Sequence, residues 1–250
     1  MQISNANLVV TGGASGLGAA VARRFAMQGA QVTLFDRDAE NGAGLAAEIG
    51  GTFCVVDVTD AASVTAGIAA AKAAMGGVSV LVNCAGIASG ARVVGRDGPH
   101  DLALFQRTID INLVGSFNCM RLTAAEMAGN DAVEGERGVI INTASIAAFD
   151  GQKGQSAYAA SKAGIVGMTL PAARDLAMLG IRVCAIAPGV FLTPMLQGLG
   201  AEIQTELAAD VTFPKRLGRP EEFAALAEFI VECGYLNGEV IRLDGALRMR

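Results

Sequence analysis

Leu8-Val9-Val10-Thr11-Gly12-Gly13-Ala14-Ser15-Gly16-Leu17-Gly18 is the stretch on which the fold turns. Leu8 to Val10 is a short apolar run of the strand kind. Ala19 to Gln28, with its alanines, arginines and Phe25, suits a helix. Glycines between them let the backbone turn sharply and lie close to a phosphate, while the amides that open the helix supply donors at a positive dipole end. Strand, tight turn and helix form the cradle of a dinucleotide pyrophosphate, with Gly12, Ser15, Gly16, Leu17 and Gly18 as the contacts. The spacing T-G-x-x-x-G-x-G differs from G-x-G-x-x-G. Alone it decides little, since a chain with 32 glycines makes such clusters by chance.

The next run, Gln31 to Phe35, ends at Asp36, where a carboxylate would accept hydrogen bonds from the adenosine ribose hydroxyls. Such a group favours NAD and repels the 2′-phosphate of NADP. Arg37 could pair with that phosphate, but Ser15 stands in the loop where a basic residue might be. An ordinary capping role for Asp36 ahead of Asp38 remains open.

Further along, strand-like runs near 8–11, 31–36, 53–58, 78–83, 138–144, 181–187 and 239–243 alternate with helical stretches, without internal repeat or low-complexity tract. Alternation predicts an α/β fold: a Rossmann-type, doubly wound parallel sheet of about seven strands with helices on both faces. Ligands of such sheets bind beyond the carboxyl ends of the strands. The glycine loop, Asp36, Asp57, Cys84, Ser145 and Pro188 all fall at those ends.

The reaction is read from Ser145 and from Tyr158-x-x-x-Lys162. Residues four apart on a helix share a face, so the phenol and the ammonium can reach one substrate. A tyrosine titrates near ~10, and a neighbouring cation favours its phenolate. Lys162 is therefore expected to make Tyr158 a usable acid and base. Ser145 ends the apolar run Gly138 to Ala144, from which its hydroxyl can donate to a carbonyl oxygen as charge develops. A Tyr and Lys pair at this spacing is by itself more often a solvated surface pair. Here the chain has only two tyrosines, and this one follows Asn142-Thr143-Ala144-Ser145. Alcohol and ketone interconversion is the expected chemistry.

The composition excludes other classes. A single domain over 1–250 can bury a sizeable core, and 52% apolar residues in short broken runs suit buried parallel strands. No run is long enough for a bilayer. Net charge is −5 with dispersed basic residues, which gives nucleic acid no footprint. Five scattered cysteines and one histidine, His100, leave little material for a metal site or a Ser-His-Asp hydrolase, so no metal is expected. His100 reads as a capping or surface residue. Residues 1–7 lead into the first strand without a signal-peptide pattern, which predicts a cytoplasmic location, or the mitochondrial matrix in a eukaryote. The acidic stretch 129–138 reads as a solvated loop.

On these motifs the chain resembles the short-chain dehydrogenase/reductase family over essentially its whole length. Asp57 and Val58 resemble the family's adenine contacts. Asn83-Cys84-Ala85-Gly86 resembles its Asn-Asn-Ala-Gly motif, with Cys84 in place of the second Asn, and the resemblance makes Cys84, Ala85 and Gly86 cofactor contacts. Asn112 resembles the fourth catalytic residue beside Ser145, Tyr158 and Lys162, one that kinks a helix and holds a water linking the lysine to solvent. Pro188 and Thr193 resemble the segment that grips the nicotinamide amide, Phe191 lies near that ring, and Tyr158 and Lys162 also contact the cofactor.

The phrases Gly138 to Ser145, Gly164 to Pro171 and Leu236 to Gly245 are more particular. They resemble the short-chain 3-hydroxyacyl-CoA dehydrogenase branch, which also includes a 17β-hydroxysteroid dehydrogenase. The resemblance implies NAD as cofactor, a small-molecule substrate such as an acyl-CoA or another hydrophobic alcohol or ketone, and substrate contacts from Ser145, Gln152, Gln155 and Tyr158. It also implies a homotetramer; the small residues of Ser156 to Met178 permit such packing, although packing on the helix's own sheet would use them too. Residues 193–213, which mix glycine with Met and Leu, read as a substrate lid or equally as a helix pair packed on the sheet or another subunit. The alternative functions are a hydroxysteroid or other hydrophobic alcohol dehydrogenase, a 3-oxoacyl-carrier-protein reductase, and a catalytically silent NAD-binding sensor.

Overall fold

The computed structural model describes residues 1–96, 98–197 and 200–249, without the side chains of residues 195, 197, 201 and 203. Strand and helix alternate as expected: β1 (Asn7–Thr11), α1 (Gly16–Met27), β2 (Gln31–Asp36), α2 (Ala39–Ile49), β3 (Thr52–Val55), α3 (Ala61–Met75) and β4 (Val80–Asn83). A small antiparallel hairpin, β5 (Val94–Gly95) with β6 (Gly98–Pro99), precedes α4 (Leu102–Ile109), α5 (Gly115–Met127), β7 (Gly138–Thr143) and α6 (Ser156–Leu176). Then come β8 (Ile181–Pro188), α7 (Pro194–Gln197), α8 (Ala201–Asp210), α9 (Pro220–Glu232) and β9 (Val240–Leu243).

Seven strands form one parallel sheet in the order β3-β2-β1-β4-β7-β8-β9. Successive strand side chains point to opposite faces, so each strand feeds two cores. Leu8 and Val10 of β1 join Phe25, Leu45 and Phe223 under α1, α2 and α9, while Val9 joins Ile68, Met120 and Met127 under α3 and α5. The strand order reverses between β1 and β4, where a crevice opens beyond the strand ends.

Four local expectations need correction. The third strand stops at Val55 rather than residue 58, because Asp57 accepts from the Thr59 N–H and hydroxyl and Asp60 caps α3, turning the chain out of the sheet. The fourth strand begins at Val80, two residues later than expected. Helix α6 ends at Leu176 and tightens into a 3-10 turn that closes at Gly180, whose φ of 68° suits glycine. The 129–138 stretch is not wholly solvated: Glu136 is pinned between Arg182 Nε at 2.5 Å and the Met1 amine at 3.0 Å.

Candidate active site

The glycine loop is shaped by backbone contact. A Cβ on Gly12, at φ 63°, would lie 2.7 Å from Ala85 N, and one on Gly18 would lie 2.2 Å from the Gly12 carbonyl oxygen. The loop therefore packs directly on the end of β4 and leaves the amino end of α1 facing the crevice. Asp36 is not a helix cap; Asp38 is, accepting from Asn41 N. One Asp36 oxygen accepts from Ala14 N at 3.0 Å and the other from Arg37 N and Asp38 N, so its charge is fixed against the glycine loop.

Beneath the loop a buried ladder crosses three strands. Thr11 Oγ1 donates to Asn83 Oδ1 at 3.2 Å and accepts from Ala85 N, and Asn83 Nδ2 donates to Asn142 Oδ1 at 2.9 Å. Buried polar groups satisfied in this way hold the strand ends in register.

At the other side, Ser145 starts a 3-10 turn and its Oγ accepts from Ala147 N at 3.1 Å, so its own proton is directed elsewhere. Tyr158 and Lys162 lie on one face of α6, with Lys162 Nζ 5.8 Å from the phenol ring centroid. The ammonium is buried and donates to the Thr143 carbonyl at 2.7 Å; burial lowers its pKa to about 8. Burial also pushes the Tyr158 phenol above its ordinary value, while the Ser145 hydroxyl pulls it back down. The expected lowering by Lys162 is thus not the net result in this arrangement, because desolvation of the ring oxygen dominates. The Cys84 thiol, pushed by burial up to about 11, receives the Thr143 hydroxyl at 3.6 Å and stays neutral.

Asn112 is the buried hinge. Residues Asp110–Val114 form a wider π-type turn between α4 and α5, a distortion common at functional sites. Asn112 Oδ1 accepts from Ile87 N at 2.8 Å, and Nδ2 donates to the Ile87 carbonyl and to Ser161 Oγ. A Cβ on Gly86 would meet Asn112 Oδ1 at 3.2 Å and Lys162 Nζ at 3.7 Å, which explains the glycine there.

One cleft of about 760 Å³ joins these parts. Gly12, Ser15, Gly16, Leu17, Gly18 and Asp36 line one stretch, and Asp57, Val58, Cys84, Ala85 and Gly86 follow. Ser145, Gln152, Gln155, Tyr158 and Lys162 line the far end, with Pro188, Phe191 and Thr193 between. Among the catalytic, cofactor and substrate residues expected from sequence, only Asn112 does not line the cleft. Gln152 and Gln155 bond to each other through their side chains, and Phe191 is wedged edge-on against Phe223 at 6.4 Å. In the 193–213 segment Leu196 and Leu207 reach the cleft, Gly198 and Leu199 lie outside the described residues, and so does the Met195 side chain. His100 sits beside the helix start, but Asp101 supplies the cap.

Sequence reasoning missed Ile87, Arg107 and Met249 on the cleft wall and the Thr143 carbonyl under Lys162. Ile87 could have been found as the neighbour of Gly86; a main-chain carbonyl and a methionine near the end of the chain leave no pattern.

The family model of the short chain dehydrogenases matches residues 6–204. The chain is 53% identical over 253 residues to 3-hydroxyacyl-CoA dehydrogenase type-2 of Drosophila melanogaster, covering 99% of both chains. It is 53% identical over 247 residues to the human protein of the same name, covering 97% of this chain and 95% of that one. The crystal structure of 3-hydroxyacyl-CoA dehydrogenase type-2 from Mycobacterium avium superposes with a TM-score of 0.95 at 46% identity, over 99% of this chain and 98% of the other.

Proposed function

The chain belongs to the short-chain dehydrogenase family and is an oxidoreductase, and from that premise we propose that it uses NAD to interconvert the 3-hydroxyl of a 3-hydroxyacyl-CoA and the corresponding ketone. The observation that carries this reading is the meeting of Ser145, Tyr158 and buried Lys162 in the same cleft as the glycine loop and Asp36. The relatives' names supply the acyl-CoA.

Gly12, Ser15, Gly16, Leu17 and Gly18 would hold the pyrophosphate, and Asp36 the adenosine ribose. Asp57 and Val58 would flank the adenine, with Cys84, Ala85 and Gly86 along the body of the cofactor. Pro188, Phe191 and Thr193 would meet the nicotinamide. The loop fits that ligand because Cβ atoms at Gly12 and Gly18 would collide with the backbone that shapes the cradle. When bound, NAD supplies the acceptor for the hydride that leaves the carbinol carbon.

Tyr158 Oη takes the hydroxyl proton. Burial opposes the phenolate, so the compensating charge comes from Lys162, which at about 8 is largely protonated at neutral pH. Lys162 also holds the nicotinamide ribose. Ser145 donates to the substrate oxygen, because its acceptor side is already used by Ala147 N. Asn112 holds the Ile87 main chain, next to Gly86 and close to Lys162, and maintains the route by which the proton leaves. Gln152 and Gln155 border the substrate, and Leu196 and Leu207 would cover it from the 193–213 segment within one domain spanning 1–250.

We place the enzyme as a homotetramer in a reducing compartment, the cytosol or a mitochondrial matrix. Half-exposed Phe117 and Leu170 on α5 and α6 support assembly, and five free cysteines support the compartment. No described helix is long and apolar enough to cross a membrane. A monomeric mass in light scattering overturns the tetramer.

Initial rates of NADH oxidation with acetoacetyl-CoA, run beside NADPH and a steroid ketone, test the function. Fast turnover with acetoacetyl-CoA and NADH is expected. Faster turnover of the steroid ketone, or a preference for NADPH, overturns the substrate or the cofactor respectively.

A further inference from the structure

Residues 244–249, after β9, bring Met249 to the wall of the cleft. Leu247 is buried, the Phe213 N–H donates to the Gly245 carbonyl at 3.1 Å, and Thr212 Oγ1 donates to the Ala246 carbonyl at 3.0 Å. The tail is thereby tied to the end of the 193–213 segment. From β9, Arg242 Nη2 donates to Asp150 Oδ2 at 2.6 Å and to the Leu247 carbonyl at 3.2 Å, while Nε donates to Asp244 Oδ2 at 2.8 Å. The guanidinium lies 5.1 Å from the Phe149 ring centroid. Asp150 is two residues before Gln152, in the loop that runs from Ser145 to the start of α6. Arg242 holds the Asp150 carboxyl below its usual range. Through Arg242 this carboxylate is tied to the Leu247 carbonyl, so the loop that carries Ser145 and Gln152 is joined to the tail two residues before Met249, which lines the same cleft as Leu196 and Leu207.

We infer that Met249 is the adjustable wall of the acyl end of the cleft, that Asp150 is the positioning residue that keeps it there, and that this pair sets the range of acyl lengths accepted. The inference rests on the acyl-CoA reading above. Methionine is unbranched and fits irregular apolar shapes, so this wall yields to a chain without leaving a hole. Leu196 and Leu207 add further apolar side chains to the wall of the same cleft. Asp150 touches neither the reacting atoms nor the cleft; it acts through the tail.

The test is the ratio of kcat/KM for 3-oxohexadecanoyl-CoA to that for acetoacetyl-CoA in the full-length enzyme. Met249→Ala should raise the ratio about tenfold and Met249→Phe should lower it about tenfold, since apolar pockets discriminate by roughly that factor per methylene. Asp150→Asn should move the ratio in the Met249→Ala direction with the KM for NADH unchanged, and Asp150→Glu should restore it. Equal ratios in all four variants, or a KM for NADH that moves with them, overturn the assignment. The same ratio is measured with ethyl acetoacetate and ethyl 3-oxododecanoate. If the wild type reduces these esters but no acyl-CoA, the functional reading fails, and the ester ratios still decide the role of Met249.

Discussion

Hollows open at both ends of the sheet: the cleft of about 760 Å³ beyond the carboxyl ends of the strands, and a space of about 970 Å³ at their amino ends lined by Met1, Asn7, Asn130, Arg137 and Arg182. The second is larger, yet its polar groups are spent on one another. Arg182 donates to the carbonyls of Ile230, Val231 and Leu236 at 2.8 Å each and to Glu136, while Asn130 bridges the Val78 and Arg137 carbonyls. In the cleft, Lys162 has one hydrogen bond among the described residues, and Ser145 has a proton directed away from its own acceptor contact. Size does not separate the two ends; unfinished hydrogen bonding does. A buried cation with four partners closes a structure, whereas a buried cation with one partner is poised for chemistry.

If the comparison holds, damage at the two ends should differ in kind. Tyr158→Phe should cut turnover by about a thousandfold, the size of a lost general acid and base, while fluorescence titration still detects NADH binding; turnover within tenfold of wild type would break the comparison at the cleft. At the other end, Arg182→Met should lower the unfolding free energy in a urea titration by about 3 kcal/mol, because it leaves Glu136 short of a partner and three carbonyls unmet. The kcat/KM of the molecules that remain folded should not change.

A finer test uses the charge on Lys162. The folded protein releases that proton near 8, whereas the unfolded chain keeps it up to about 10.5. Between those values the unfolded state binds more protons, so this group makes stability rise with pH. The cost of burying the charge is fully present below about 8 and is relieved by 10.5. Wild-type stability minus that of Lys162→Met should therefore climb by about 3 kcal/mol across the window, and a flat difference would remove the buried ammonium from the account. The smallest effect concerns Asp36. Asp36→Ala should shift the NADH to NADPH ratio of kcat/KM by about tenfold towards NADPH, the worth of one charged hydrogen-bond partner.

Much of this was legible in the chain because it is local. Leu8 to Gly18 names a strand, a turn and a helix within the reach of a few peptide units, and Tyr158 and Lys162 are neighbours on any helix. Two of the slips have side-chain causes that no local pattern shows: Asp57 bent the third strand away through its bonds to Thr59, and Arg182 on β8, forty-six residues on, drew Glu136 out of solvent.

The sequence by itself determined the α/β class, the order of strands and helices, and the residue types able to hold a dinucleotide and move a proton, since each follows from periodicity or from spacing along one element. Only the tertiary structure decided that the Thr143 carbonyl would be the partner of Lys162, that burial rather than the lysine would govern the Tyr158 phenol, and that Arg242 would tie Asp150 to the Leu247 carbonyl beside the cleft. These depend on desolvation and on contacts between segments up to about a hundred residues apart, which arise when the sheet closes and not before.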